Sequence, residues 1–316
     1  MTAIPAEASL AATASARPPR RRRNRDQWTA IAVILPSIVA TAIFVYGFIG
    51  WTLRVSLSNW TGLMPDYTFA GLRQYLELAR DPRFAIDIRN TAIFTVLFLV
   101  SCIAIGLFLA ILLDQRLRGE NIFRSIFLFP MAVSFIVTGV AWRWLMNSAT
   151  GTRISGLNLL FQQLGLDSLI NNWHLTAPPW GIAFIALPAV WQMSGFTMAL
   201  YLGGLRAISD DLREAARVDG ASEFQIYRYI LLPLLNPITL SVVIILGHIS
   251  LKIFDLIVAI SQNNMALDVP AVYMWRTTFD GNNYGQGAAI GILMLVTVAV
   301  LIVPYLVYSM RSEAEL

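Results

Sequence analysis

Six long, predominantly apolar stretches constrain this chain more than any other feature. A helix needs about 20 such residues to cross the hydrocarbon core of a bilayer. In that medium each backbone N–H and C=O must find a partner inside the protein, which favours helices. The stretches are Trp28–Leu53, Thr91–Leu113, Ile122–Met146, Gly181–Leu205, Ile238–Ile260 and Gly287–Met310. They predict an all-α integral membrane protein with six transmembrane helices. Composition agrees. Of the 316 residues 57% are hydrophobic and 13% charged, against roughly 25% charged in a soluble domain. Length here counts spans rather than soluble domains.

An even number of spans puts both termini on one side. The cluster "RPPRRRRNR" precedes the first span and votes for the cytoplasm. On that assumption Arg17, Arg20–Arg23, Arg25, Arg116, Arg118, Arg124, Arg206, Arg213, Arg217, Arg228 and Arg311 lie inside. Arg54, Arg73, Arg80, Arg83, Arg89, Arg153 and Arg276 lie outside. The inner set is twice the outer one, as the positive-inside rule requires. Asn171–Pro179 is then external. Residues 1–27 read as a disordered, basic cytoplasmic N-terminus, 28–311 as the six-span domain and 312–316 as a cytoplasmic tail. The single cysteine, Cys102, lies in an apolar run and excludes an intramolecular disulfide or a Cys-based metal site.

A polar segment, about 206–236, separates the fourth and fifth spans. Ser209 is a good helix N-cap, and Asp210 and Asp211 follow in the first turn, where negative charge suits the helix dipole. Gly220 is placed to end that helix in a left-handed conformation. Ser222 and Gln225 form a capping-box pattern that starts a second helix. Phe224, Tyr227, Ile230 and Leu231 give that helix an apolar face, and Pro233 stops or kinks it. The segment thus predicts two short helices about a sharp turn.

The same residues carry a resemblance. Glu214-Ala215-Ala216, Asp219-Gly220-Ala221 and Leu232-Pro233 resemble the EAA loop of ABC-importer permeases. "LDQRLRGENIFRSIFLFPMAVS" and "LGGLRAISDDLREAA" resemble the sugar-permease branch, related to the maltose and glycerol-phosphate permeases. The likeness spans about residues 28–311. It implies the type I ABC-importer permease fold, in a bacterial or archaeal plasma membrane. It also implies a second EAA-type permease subunit, a cytoplasmic ABC ATPase dimer, an extracytoplasmic solute-binding protein and a carbohydrate solute. Glu214, Ala215, Ala216, Asp219, Gly220, Ala221 and Pro233 would form the coupling element, with Glu214 meeting a basic group of the ATPase. Many relatives carry a Gly-Gly-Pro loop after the fifth span. "SQNNMALDVP" stands there in this chain.

The chain has no phosphate loop. Its only lysine, Lys252, lies inside a span, and a P-loop needs a lysine at the phosphates. No cofactor is expected on this chain. The resemblance leaves ATP and Mg to a partner. No H-E-x-x-H motif joins His174 to His248.

Candidate pathway residues lie on the fourth and fifth spans. On a continuous helix Ser241, His248, Lys252, Asp255 and Gln262 fall on one stripe. Lys252 and Asp255, three residues apart, are placed to pair. They are read either as a structural ion pair or as part of a solute pathway. Trp191, Gln192 and Phe196 offer the aromatic plane and planar polar group that sugar recognition uses, and Ser250 adds a hydroxyl. Gly195 and Ala199 offer a face for close helix approach. Arg143 and Asn147 are candidates for the entrance. An alternative is a secondary transporter or membrane enzyme using His248, Lys252 and Asp255 as a proton relay. The EAA loop favours the importer, because a secondary transporter has no ATPase to dock.

Overall fold

The computed structural model describes residues 20–115 and 118–314. Residues 1–19 of the basic N-terminal stretch, Arg116, Leu117 and the last two residues of the tail lie outside the described residues. Residues 1–51 and 52–316 form two units. In the first, a helix starts at Arg20 and loosens into π-turns at Ala42–Gly47. Its apolar stretch opens the candidate span α1, Ile31–Ser56, which has no buried residue before Val55 and Ser56 at its end. An apolar helix with no buried face suits lipid or another subunit rather than water.

The second unit holds the rest. After the short α2 (Arg73–Arg80) come α3 (Pro82–Asp114), α4 (Glu120–Ala132), α5 (Phe135–Leu145) and α6 (Gly156–Gln163). Then follow α7 (Trp180–Ala207), α8 (Asp210–Val218), α9 (Glu223–Leu234), α10 (Asn236–Leu251) and α11 (Asp255–Ser261). The chain closes with α12 (Pro270–Trp275) and α13 (Tyr284–Ala314). Among the described residues four helices are long and apolar enough to cross a membrane, or up to six if each bent pair counts once.

The core forms along α3 and α7, which pack side by side. Phe94, Phe98, Cys102, Ile185, Met198 and Leu205 are buried there. Gly106 lets the two helices approach: a Cβ there would lie 2.6 Å from the Thr197 side chain. This close contact of small residues is how helices associate where lipid removes the usual hydrophobic drive.

Two expected spans are not single straight helices. Ile122–Met146 is read from sequence as one segment, but α4 and α5 meet at 97°. Pro130 supplies no N–H, so the helix tightens into a 3-10 turn. Ser134 then restarts it by accepting a hydrogen bond from the Val137 N–H at 3.3 Å. Ile238–Ile260 is likewise interrupted, between α10 and α11. Lys252 caps the first piece and Asp255 opens the second. Each charge therefore sits at the helix end whose dipole it complements. The single stripe from Ser241 to Gln262 does not exist, because Gln262 lies past the second piece with φ +53°.

A clasp closes the Pro82 end of the bundle. Asn158 is 1% exposed. Its amide donates to the carbonyls of Asn147 and Asn171, and its oxygen accepts from the Trp173 indole at 2.9 Å. Beside it His174 is buried, and burial, with the charge of Arg143, lowers its pKa. A histidine with a depressed folded pKa contributes stability above its unfolded pKa, about 6.5, and loses it as pH falls. Melting curves of the purified protein should therefore shift downward on acidification below about pH 6.5. His174→Gln should flatten that dependence, and an unchanged pH profile would refute the assignment.

Candidate functional site

The polar segment folds as its sequence predicts, and the chemistry of each turn is visible. The Ser209 hydroxyl accepts from the Asp211 N–H at 3.3 Å and caps α8. Gly220 has φ +82°. The Gly220 N–H bonds the Arg217 carbonyl, and the Ala221 N–H reaches back to the Ala216 carbonyl at 2.9 Å. These bonds satisfy carbonyls that a helix end leaves open. The capping box is complete: the Ser222 N–H donates to Gln225 Oε1 at 2.8 Å, and the Gln225 N–H donates to Ser222 Oγ. Arg217 pairs with Glu223 at 2.8 Å across the turn, and this hydrogen bond holds the guanidinium above its ordinary pKa.

Glu214, Ala215, Asp219 and Gly220 are exposed, Ala221 is half-buried and Ala216 is buried at the base. Val218 is 87% exposed and Phe224 76%. The turn thus presents an apolar tip flanked by acidic side chains. The expected apolar face of the second helix is split. Leu231 turns into the core together with Ile226, while Phe224 projects outward. Pro233 does not stop the helix. A π-turn at Tyr227–Leu231 precedes it and absorbs the missing N–H, so the chain stays helical to Leu234. The 62° bend follows between α9 and α10.

Ion pairs join this knob to the bundle. Arg213 donates to Asp114 at 2.7 Å and to the Leu205 carbonyl at 3.1 Å. Burial opposes its charge, but the hydrogen bond and charge of Asp114 hold its pKa above the ordinary value. Arg206 pairs with Glu120 at 2.7 Å. A polar cleft of about 1200 Å³ opens between knob and bundle, lined by Asp114, Glu120, Arg206, Arg213, Glu214 and Tyr227. No motif in the sequence links Asp114 to Arg213, because the partners lie 99 residues apart.

The family model for the binding-protein-dependent transport system inner membrane component matches residues 102–312. The chain belongs to this family. The permease is 39% identical over 294 residues to a probable ABC transporter permease of Pyrococcus horikoshii, covering 92% of this chain and 99% of that one. It is 35% identical to a xylose/arabinose import permease of Haloferax volcanii, covering 87% and 86% of the two chains. With a trehalose/maltose transport permease of Thermococcus litoralis the identity is 30%, and the coverage 90% and 94%. A bacterial alginate ABC transporter, solved with its periplasmic protein, has the same fold: TM-score 0.75, 22% identity, covering 90% of this chain and 94% of that one. The all-α, type I importer fold read from the sequence is therefore the fold of this permease.

The expected pathway residues are placed unequally. Trp191 is 41% exposed and packs against Trp142 at 6.1 Å between ring centroids. Phe196 is half-buried. Gln192 is buried, and its amide donates to the Val133 carbonyl at 2.5 Å, bracing the α4–α5 bend. Ser250 is fully buried, bonds the Thr95 hydroxyl at 3.0 Å and donates to the Gly247 carbonyl. In this conformation both tie helices together, the Gln192 amide nitrogen and the Ser250 hydroxyl bonding within the chain, while Gln192 Oε1 is buried without a hydrogen-bond partner. Lys252 and Asp255 are exposed and do not pair with each other. The break between α10 and α11 separates them. His248 lies on α10, one turn before Lys252. Arg143 donates to the Ala259 carbonyl at 3.1 Å, and Asn147 to Ser155 at 2.6 Å, so both brace the helix ends.

Proposed function

We propose that this permease forms half of the membrane pathway of an ATP-driven importer for a carbohydrate. The observation that carries the reading is the helix–Gly–helix knob, with exposed Glu214 and Gly220 in the left-handed conformation, in a chain of this family. Relatives named for pentose and disaccharide import support the solute class. In this reading the knob faces the cytoplasm, as do both termini, and docks in a cytoplasmic ATPase dimer. ATP and Mg belong to that partner. A second EAA-type permease completes the pathway, because each ATPase half needs a knob. A solute-binding protein delivers sugar at the opposite face.

The broken fifth span supports a pathway beside it. Interrupted helices are tolerated at membrane depth only inside protein or along a water-filled cavity. Exposed Lys252 and Asp255 at such a break would face the other permease subunit and the solute, together with Trp191 and Phe196. Neutralising both charges, Lys252→Met with Asp255→Asn, tests this. The double variant should assemble at normal levels, because the two side chains do not stabilise each other. Sugar uptake by reconstituted vesicles should fall at least tenfold. Normal uptake with unchanged sugar selectivity would remove the pair from the pathway. The importer reading as a whole is tested by purifying the tagged permease from its native membrane. Co-purification of a second permease and an ABC ATPase is expected, and recovery of this chain alone, active without ATP, would refute it.

A further inference from the structure

We propose that α3 is the rod that carries movement of the knob to the opposite mouth of the permease, with Asp114 and Asp268 as its positioning residues. The proposal rests on the ATPase-coupling reading above.

Among the described candidate spans, α3 is the one with no internal proline, π-turn or break. The α1 stretch holds Pro36 and a π-turn, α7 holds Pro188 and α13 holds Pro304. The remaining two spans are bent pairs. Its 33 residues make an uninterrupted helix of about 50 Å at 1.5 Å per residue. Such a helix can transmit displacement without buckling, whereas kinked ones absorb it.

Both ends of α3 carry a charge of the wrong sign for the helix. Arg83 sits in the first turn, at the positive end of the dipole, and Asp114 is the last residue, at the negative end. Neither is placed to stabilise α3 itself. Each instead bonds another element. The Asp114 side chain is 5% exposed and accepts from Arg213 of α8 and from the Tyr227 hydroxyl of α9, both at 2.7 Å. The two halves of the knob therefore converge on one carboxylate at the tip of α3.

At the far end Arg83 donates to Asp268 at 2.7 Å. Asp268 is fully buried, and Arg276 reaches it at 3.2 Å. Asn90, two turns along α3, donates to the carbonyls of Ala266 and Asp268, both at 2.9 Å. Arg83 also lies over the Tyr273 ring, 4.4 Å from its centroid. These groups belong to the segment between the fifth and sixth spans, where the chain reads "SQNNMALDVP". Buried, multiply bonded carboxylates resist sliding, because breaking one bond strands a charge in low dielectric. A shift of the knob must then carry α3 with it, and α3 must carry the Asp268 segment.

The test uses the complete transporter in liposomes, with its ATPase and its sugar-loaded binding protein. Paired neutral substitutions limit stranded charge: Asp114→Asn with Arg213→Gln at one end, and Arg83→Gln with Asp268→Asn at the other, where Arg276 loses its carboxylate but keeps its bond to the Gln262 carbonyl. Each pair should leave basal ATP hydrolysis intact and lower its stimulation by the loaded binding protein about tenfold, a typical size for coupling between sites. Combining the two pairs should cause little further loss, because one rod is cut twice. Normal stimulation in either pair would overturn the proposal, as would a combined loss equal to the product of the two. If a pair fails to fold, Tyr227→Phe removes a single bond to Asp114 and keeps the ion pair. A severalfold loss of stimulation is expected there, and full stimulation would overturn the rod. Failure of the unmodified chain to assemble with any ATPase would instead refute the coupling reading on which the rod depends.

Discussion

Gly220→Leu is expected to abolish sugar uptake while leaving the chain folded. Gly220 has φ +82°, a conformation that costs a residue with a Cβ about 1 kcal/mol. A Cβ placed there meets no atom of this chain within 4 Å. The cost within the chain is therefore the backbone strain alone. In a unit of this size it lowers the melting temperature by roughly 2–4 °C. Loss of transport beyond that reports what docks on the exposed turn. Glu214→Ala removes an exposed carboxylate from the same face and should also abolish uptake, with no loss of stability. Solute delivery by the binding protein should be normal in both. Vesicle uptake, ATPase co-purification and melting temperature, measured together, check the prediction. Retained ATPase association and retained stimulation in both variants would make the turn a mere connection between spans.

The other large effect concerns the seam between α4 and α7. Gly195 faces the α4 backbone so closely that a Cβ would meet the Phe127 carbonyl oxygen and, at 2.6 Å, its carbon. Backbone cannot rotate away as a side chain can. Gly195→Ala must push the helices apart, at a cost of about 1–3 kcal/mol, and Gly195→Leu more. Gln192, one turn earlier on α7, braces the same seam through the Val133 carbonyl. Both contacts would be lost together. The leucine variant should give little folded protein on detergent gel filtration. Gly203→Ala is the matched control. It lies on the same helix with nothing within 4 Å of its Cβ, and should gain about 0.5–1 kcal/mol from helix propensity. Equal behaviour of the two alanine variants would refute the close approach.

The sequence by itself determined the features whose cause is local. Apolar runs of about 20 residues have one stable form in a bilayer, so the helical class and the span count follow from composition along the chain. The helix–Gly–helix knob was legible to the residue, because caps are made by neighbours: Ser209 with Asp211, Ser222 with Gln225, and Gly220 with the carbonyls just before it. What depends on distant partners was not legible. No local pattern marks the break at Lys252 or the burial of Gln192 and Ser250; Pro130 and Ser134 mark the α4–α5 bend but not its 97° angle. A period of 3.6 residues assumes an unbroken helix, and the Lys252–Asp255 pairing failed where that assumption failed. Asp114 and Arg83 look like ordinary charges near span ends. Tertiary structure alone brings them to Arg213 and Asp268, 99 and 185 residues away. It also alone turns Phe224 outward while Ile226 and Leu231 enter the core. Capping energies are fixed within a few residues of sequence, whereas burial and ion pairing are decided by which helices meet.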